Sequence, residues 1–289
     1  MDRDAQFEEH RSALFSLAYR MMGTRADAED IVQEAYLRWK SAGEEEIRSP
    51  KSYLTTVVAR LSLDALKAAH RKRETYVGEW LAEPIVEPLG AKQILMAESL
   101  SIAFLRLMES LTPAERVAFL LRDIFEADYE QIANALETTE TNSRQLVARA
   151  RKHLQGNRPR FAVDRERQVA LLEKFLTACA TGELSQLTAM LTEDALLVTD
   201  GGGKVPSALN PIHGADRVAR FLRGVAEKGA KGLKMQWAMV NGDVGVVLMD
   251  GDRPATVLSL TVEEDGLISG VFLVNNPDKL PQTARLGLD

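Results

Sequence analysis

Apolar residues recur every three or four positions through the first 155 residues, the period of helices that bury one face. Ala28, Ile31, Val32, Ala35 and Trp39 mark one such stripe, and Thr24 with Asp27 three positions on predicts its cap. Ser49-Pro50 then supplies a cap with proline at the first helical position, followed by Tyr53, Leu54, Val57, Val58, Leu61, Ala65 and Leu66 at helical spacing. LTPAERVAFLL carries a complete start signal in Thr112, Pro113 and Glu115. Farther on, Tyr129, Ile132, Ala133 and Leu136 predict one short helix. After a polar turn, Ser143, Leu146, Val147, Ala150 and Leu154 predict a second.

Two stretches interrupt this pattern. RETYVGEWLAEPIVEPLGAKQ, residues 73–93, carries Pro84, Pro88 and two glycines and reads as a linker. Its Trp80, Leu81, Ile85 and Val86 are apolar and are expected to seek a surface. After QGNRPRF at 155–161 the pattern changes altogether. Helices are predicted near 164–180, 183–191 and 214–227, the last two separated by ALLVTDGGGK. LKMQWAMV, VGVVLM, ATVLSLTV and LISGVFLV then predict strands, separated by Asn-Gly-Asp, Asp-Gly-Asp and Glu-Asp-Gly hairpin signals. The predicted class is therefore multi-domain, two all-α units followed by an α+β domain. The expected boundaries are 1–75, a linker over 76–95, 96–157 and 162–280.

Composition narrows the chemistry. The 289 residues carry a formal net charge of −6, which argues against a free-standing, tight DNA binder. A single cysteine, Cys179, excludes an intrachain disulfide, and no Cys/His cluster has metal-ligand spacing, so no metal or cofactor is expected. The N-terminal MDRDAQFEEHR has no apolar core of signal-peptide length, and no apolar run approaches the roughly 20 residues of a membrane span. A cytoplasmic protein without membrane contact is expected.

Against that acidity, the helix predicted over 139–154 turns Thr141, Asn142, Arg144, Gln145, Arg149 and Lys152 outward. Arg, Asn and Gln are the side chains able to make bidentate contacts with base edges in the major groove. Arg149, Arg151 and Lys152 are spaced for phosphates. The bland alternative is a solvated helix hairpin whose arginines face water. Arg60, Asp64, Lys67 and Arg71 recur opposite the apolar stripe of the Ser-Pro-capped helix, which closes on Arg71-Lys72-Arg73. Asp27, Glu29, Asp30 and Glu34, with Gln33, gather toward a helix N-terminus, where the macrodipole favours acids.

The order of these features over residues 7–155 resembles the extracytoplasmic-function group of the sigma-70 family, the promoter-recognition subunits of bacterial RNA polymerase. It runs from the acidic DAEDIVQE helix through the Ser-Pro-capped helix with its basic exit and the Pro-rich linker to the Leu-Thr-Pro helix and the helix-turn-helix. The resemblance implies that Asp27, Glu29, Asp30, Gln33 and Glu34 dock on core polymerase. It implies that Arg60, Asp64, Lys67, Arg71, Lys72 and Arg73 meet the −10 element, with the loop EEEIRSP at 44–50 bordering a pocket for a flipped base. Thr141, Asn142, Arg144, Gln145, Arg149 and Lys152 would then read the −35 element.

The remaining 130 or so residues resemble the SnoaL-like branch of the nuclear-transport-factor-like cone fold. Three strings match a sigma subgroup carrying this fusion: WLAEP at 80–84, DGGGK at 200–204 and NPDKL at 276–280. The subgroup's linker string usually has proline where this chain has Ala82. These strings imply an internal contact in which Trp80, Leu81, Glu83 and Pro84 meet Asp200, Gly201, Gly202, Gly203 and Lys204 together with Asn276, Pro277, Asp278, Lys279 and Leu280. Lys204 or Lys279 is expected to reach Glu83. In cis such a contact would modulate promoter-directed transcription. Two alternatives stay open: a tail that senses a small ligand, and a proton-transfer enzyme using Asp200, His213 and Asp250, with His213 starting the 214–227 helix. The expectation is no catalysis.

Overall fold

A computed structural model describes residues 2–43, 47, 49–73, 75–89, 100–154, 165–229 and 232–282. They divide into two compact units. The first gathers the described residues of 2–75 and 105–154, and the second those of 76–89, 100–104 and 165–282.

The first unit is helical: α1 (Arg3–Met22), α2 (Arg25–Ser41), α3 (Pro50–Arg73), the later part of α4 (Ile102–Met108), α5 (Pro113–Phe119), α6 (Tyr129–Leu136) and α7 (Glu140–Leu154). Helices α1, α2 and α3 pack on one another, α5, α6 and α7 form a second cluster, and α3 lies against α5 and α6. The predicted stripe of α2 is buried at Ala28, Ile31, Val32, Ala35 and Trp39. Its start differs from the expectation. Thr24 makes no backbone cap; its hydroxyl donates to the Asp27 carboxylate instead. Trp39 Nε1 donates to the Arg3 carbonyl at 2.8 Å while Arg3 donates to the Trp39 carbonyl at 2.7 Å, so the two ends of α1 and α2 are pinned reciprocally.

Helix α5 begins as predicted. The Thr112 side chain accepts from the Glu115 amide, and the Glu115 carboxylate accepts from the Thr112 amide. Replacing Thr112 with alanine is expected to cost about 1 kcal/mol of helical-unit stability, measurable by urea unfolding. The sequence does not announce the π turn Leu120–Ile124 that continues α5.

In the second unit α8 (Arg165–Thr181), α9 (Leu184–Met190) and α10 (Ala215–Gly229) accompany a seven-stranded mixed sheet. Its strands are β1 (Val86–Pro88), β2 (Leu191–Asp200), β3 (Ile212–His213), β4 (Lys234–Val240), β5 (Asp243–Asp250), β6 (Arg253–Val262) and β7 (Ile268–Val274). They lie in the order β1-β4-β5-β6-β7-β2-β3, with β2 and β7 parallel and every other pair antiparallel. The core joins Leu172 and Phe175 of α8, Leu187 of α9 and Val218 and Leu222 of α10 to Leu197, Val246, Leu258 and Val271 of the sheet. Cys179 lies beside this core, and burial pushes its thiol up to about 12.

The predicted linker packs with the tail. Residues 76–89 belong to the second unit, and β1 is the outermost strand of its sheet, with Val86 opposite Val240 and Pro88 opposite Ala238. Proline has no N–H to donate and suits an outermost strand.

Candidate nucleic-acid interface and linker site

On α2 the polar face stands in solvent. Asp27, Glu29, Asp30, Gln33 and Glu34 are all exposed. Glu29 pairs with Arg25 at 2.6 Å and Glu34 with Arg38 at 3.0 Å, so part of the acidity is neutralised along the helix. Leu37, seven residues after Asp30, is 56% exposed on the same helix. Pattern reading passed over it because one leucine among charges carries no periodic signal.

Helix α3 places its predicted cations unequally. Asp64 and Lys67 are exposed and lie 3.5 Å apart. Arg60 is exposed, yet its guanidinium donates to the Asn134 carbonyl of α6 at 2.5 Å. Arg73 is not outward: it pairs with Glu109 at 2.5 Å and donates to the Met22 carbonyl. Glu109 also holds Arg116 at 2.8 Å, and Arg116 donates to the Met21 carbonyl at 2.8 Å. Burial alone would raise the Glu109 carboxyl. The charges of Arg116 and Arg73 and their hydrogen bonds outweigh it and hold the group below the usual glutamate range. Arg71 and Lys72 lie on α3, but their side chains, like most of the EEEIRSP loop, fall outside the described residues.

On α7, Thr141, Arg144, Gln145, Arg149 and Lys152 are exposed as predicted. Arg144 pairs with Glu140 at 3.0 Å and lies 4.4 Å from the Tyr129 ring centroid, which stiffens it in an outward pose. Arg149 stands 3.5 Å from Glu115. Asn142 departs from the expectation. It is half-buried, and its amide donates to the Thr138 hydroxyl at 2.9 Å, shaping the turn between α6 and α7. Arg151 departs too: both Nε and Nη2 reach Asp123, the latter at 2.6 Å. A solvent-facing period cannot show that an acid from another element waits beside that position.

Within the second unit the three strings converge on Leu81. Asp200, fully buried at the end of β2, accepts from the Leu81 amide at 2.9 Å, from Lys279 Nζ at 2.7 Å and from the Tyr76 hydroxyl at 2.6 Å. Lys279 in turn donates to the Leu81 carbonyl at 2.7 Å, so one ion pair grips both backbone groups of one residue. The Leu81 side chain is itself fully buried. The ammonium lies 4.2 Å from the Trp80 ring centroid and 4.8 Å from that of Tyr76, an aromatic environment favourable to a cation. Tyr76 was not singled out from sequence. Burial first, then the hydrogen bond to Asp200 and its charge, push its phenol up.

The glycines follow from the closeness of this packing. A Cβ at Gly202, whose φ is +59°, would stand 2.4 Å from the Asn276 amide nitrogen; one at Gly203, φ +70°, would stand 3.0 Å from Val77 Cβ. Gly201 is buried against Ser207 and Val205. Asn276 is buried and donates to the Tyr76 hydroxyl at 2.8 Å, while its carbonyl accepts from the Asp278 amide at 3.0 Å. Lys204 pairs with Asp278 at 2.5 Å, a partner the sequence reading did not name. Pro84 is buried, Glu83 and Leu280 are half-buried and Pro277 is exposed. Ala82, at the usual proline position, is 1% exposed.

The proton-transfer alternative is not assembled. His213 lies on the short strand β3 rather than on a helix and is exposed, as is Asp250 beside the β5–β6 turn. His213 faces Leu196, four residues along β2 from Asp200, or about 13 Å at about 3.3 Å per residue. Asp200 is committed to Leu81, Tyr76 and Lys279.

Comparison with known proteins identifies the two helical regions and the family. Family models for sigma-70 region 2 and sigma-70 region 4 match residues 6–72 and 101–154. The chain is 38% identical to the ECF RNA polymerase sigma factor SigJ of Mycobacterium tuberculosis, over 95% of this chain and 92% of that protein. It is 31% identical to the probable ECF RNA polymerase sigma factor SigI of the same species, over 98% and 97%. The crystal structure of M. tuberculosis SigJ superposes with a TM-score of 0.77 at 37% identity, covering 95% of this chain and 97% of that one. With both helical regions matched and relatives aligned across its whole length, the chain belongs to the extracytoplasmic-function sigma factors, which bind core RNA polymerase and direct promoter-specific initiation.

Proposed function

We propose that the helical unit docks on core polymerase through Asp27, Glu29, Asp30, Gln33 and Glu34 with Leu37 at the centre of the face. Promoter DNA is then read through α3 and through Thr141, Arg144, Gln145, Arg149 and Lys152 of α7. The α+β tail is a non-catalytic regulator that acts in cis by gripping the linker between the two readers. The observation that carries this reading is the Asp200–Lys279 pair closed on the backbone of Leu81. A domain that binds its own linker by backbone groups behaves toward it as toward a peptide ligand. The gripped form is taken as the resting form, in which Arg60 and Arg73 bond within the helical unit to α6 and Glu109. Among the described residues no helix is long and apolar enough to cross a membrane. Work beside polymerase in the cytoplasm follows from the proposed role.

The test is start-specific transcription by purified core enzyme. The full chain is expected to confer initiation at a defined start. Gln145→Ala, which removes an exposed group able to bond a base edge in two places, is expected to lower it about tenfold while leaving core binding intact. Initiation that is indifferent to the added protein would sink the assignment of these faces.

A further inference from the structure

The turn joining β4 to β5 reads in sequence as an ordinary Asn-Gly-Asp hairpin. In the fold its asparagine does more. Asn241 is 2% exposed and has a φ of +54°, a left-handed conformation open to asparagine and glycine. Its side-chain carbonyl accepts from the Ile85 amide at 2.9 Å, its side-chain amide donates to the Leu100 carbonyl at 2.9 Å, and its backbone N–H donates to the Ile85 carbonyl at 2.8 Å. One residue therefore holds two points of the chain that lie fifteen positions apart. Leu100 is 1% exposed, so its carbonyl has no ready exchange with water when the amide leaves.

From this geometry we infer that Asn241 is a clasp on linker length, a positioning residue that decides how far the two promoter readers can separate. The inference rests on the proposed control through the linker and names the residue that meters it. Helix α3 ends at Arg73 and α4 starts at Ile102, so the anchors at Tyr76 and Leu100 lie within three residues of each helix. With the clasp shut, the anchors at Tyr76 and Leu100 bound the reach between readers. With Leu100 released, the eleven positions 89–99 are worth about 35–40 Å when extended, at about 3.3–3.6 Å per residue. Elements centred at −10 and −35 are about 25 base pairs apart, about 85 Å of duplex at about 3.4 Å per pair. Helical units a few tens of ångströms across need that stored length to engage both. The Leu81 grip can stay closed throughout, because the released segment lies beyond it.

Two substitutions at Asn241 separate the clasp from the fold. Asn241→Gly keeps the left-handed turn and the backbone bond to Ile85 and deletes the side-chain bonds to Ile85 and Leu100. Asn241→Asp keeps the acceptor for Ile85 and deletes the donor to Leu100. In the full chain both are expected to raise core-dependent initiation five- to tenfold, the shift that losing one buried hydrogen bond brings. Amide exchange at Ile85 is expected to quicken in Asn241→Gly alone. Thermal melting confirms in each case that the tail remains folded. Initiation unchanged or lowered in both folded variants overturns the clasp, as does a rise with Asn241→Gly alone, since Leu100 is freed in both. Asp200→Asn run in parallel tells the two failures apart. If it alters initiation and the Asn241 variants do not, linker control stands without the clasp; if none does, both readings fall.

Discussion

Replacing Lys279 with alanine is expected to be the most damaging single change in the tail. It leaves the fully buried Asp200 carboxylate without its cation and takes a donor from the Leu81 carbonyl. Breaking a buried ion pair from one side costs about 3–5 kcal/mol, a large fraction of a domain's total stability of about 5–15 kcal/mol. The tail transition in calorimetry should move down by about 10 °C or more. Combining Lys279→Met with Asp200→Asn removes both charges and should recover much of the loss, because no lone charge remains buried. Equal melting of the single and double variants would show that the pair is not a coupled unit. In transcription the same single change should release the linker start and raise initiation from the resting form.

Glu109→Ala is the second large effect, and it falls on the helical unit. Arg116, with 3% of its side chain exposed, loses its carboxylate partner; its Nε already lacks a partner among the described residues. A loss of about 3–5 kcal/mol is expected by urea unfolding. The pH dependence follows from the lowered carboxyl of Glu109. Its stabilisation is complete above the ordinary value of 4.5 and is lost as pH falls through the lower folded value. The wild type should therefore lose stability over that acid range while Glu109→Ala shows less of this slope. Arg73, relieved of that carboxylate while keeping its bond to the Met22 carbonyl, should steepen the dependence of promoter binding on salt by about one counterion. An unchanged salt slope would show that Arg73 does not reach phosphate.

Local signals carried most of the helical half into the sequence reading. The Thr112–Glu115 box, the stripe of α2 and, Asn142 excepted, the outward set of α7 depend on residues three or four apart, and the fold repeats them. Two exceptions depend on distant partners. Arg73 and Arg151 were read as surface cations because nothing in their neighbourhoods names Glu109 or Asp123. In the tail, WLAEP, DGGGK and NPDKL were grouped by resemblance, and the fold brings them around Leu81. Their bonding could not be foreseen, since the donors and acceptors include backbone groups that no sequence pattern distinguishes. Tyr76 and Asn241 escaped for opposite reasons. One sat in the linker with no pattern around it, and the other had an adequate explanation as a turn.

The strand β1 has a consequence for a state in which the Leu81 grip opens as well. While the linker stays in place, β1 covers the backbone of β4 from Ala238 to Val240. Its departure would bare an unpaired sheet margin flanked by the exposed Met235, a template that any extended chain, including another copy of this protein, can extend. Solutions enriched in the liberated form should therefore oligomerise as concentration rises, and a strand supplied by another protein would hold a tail open after its own linker had gone.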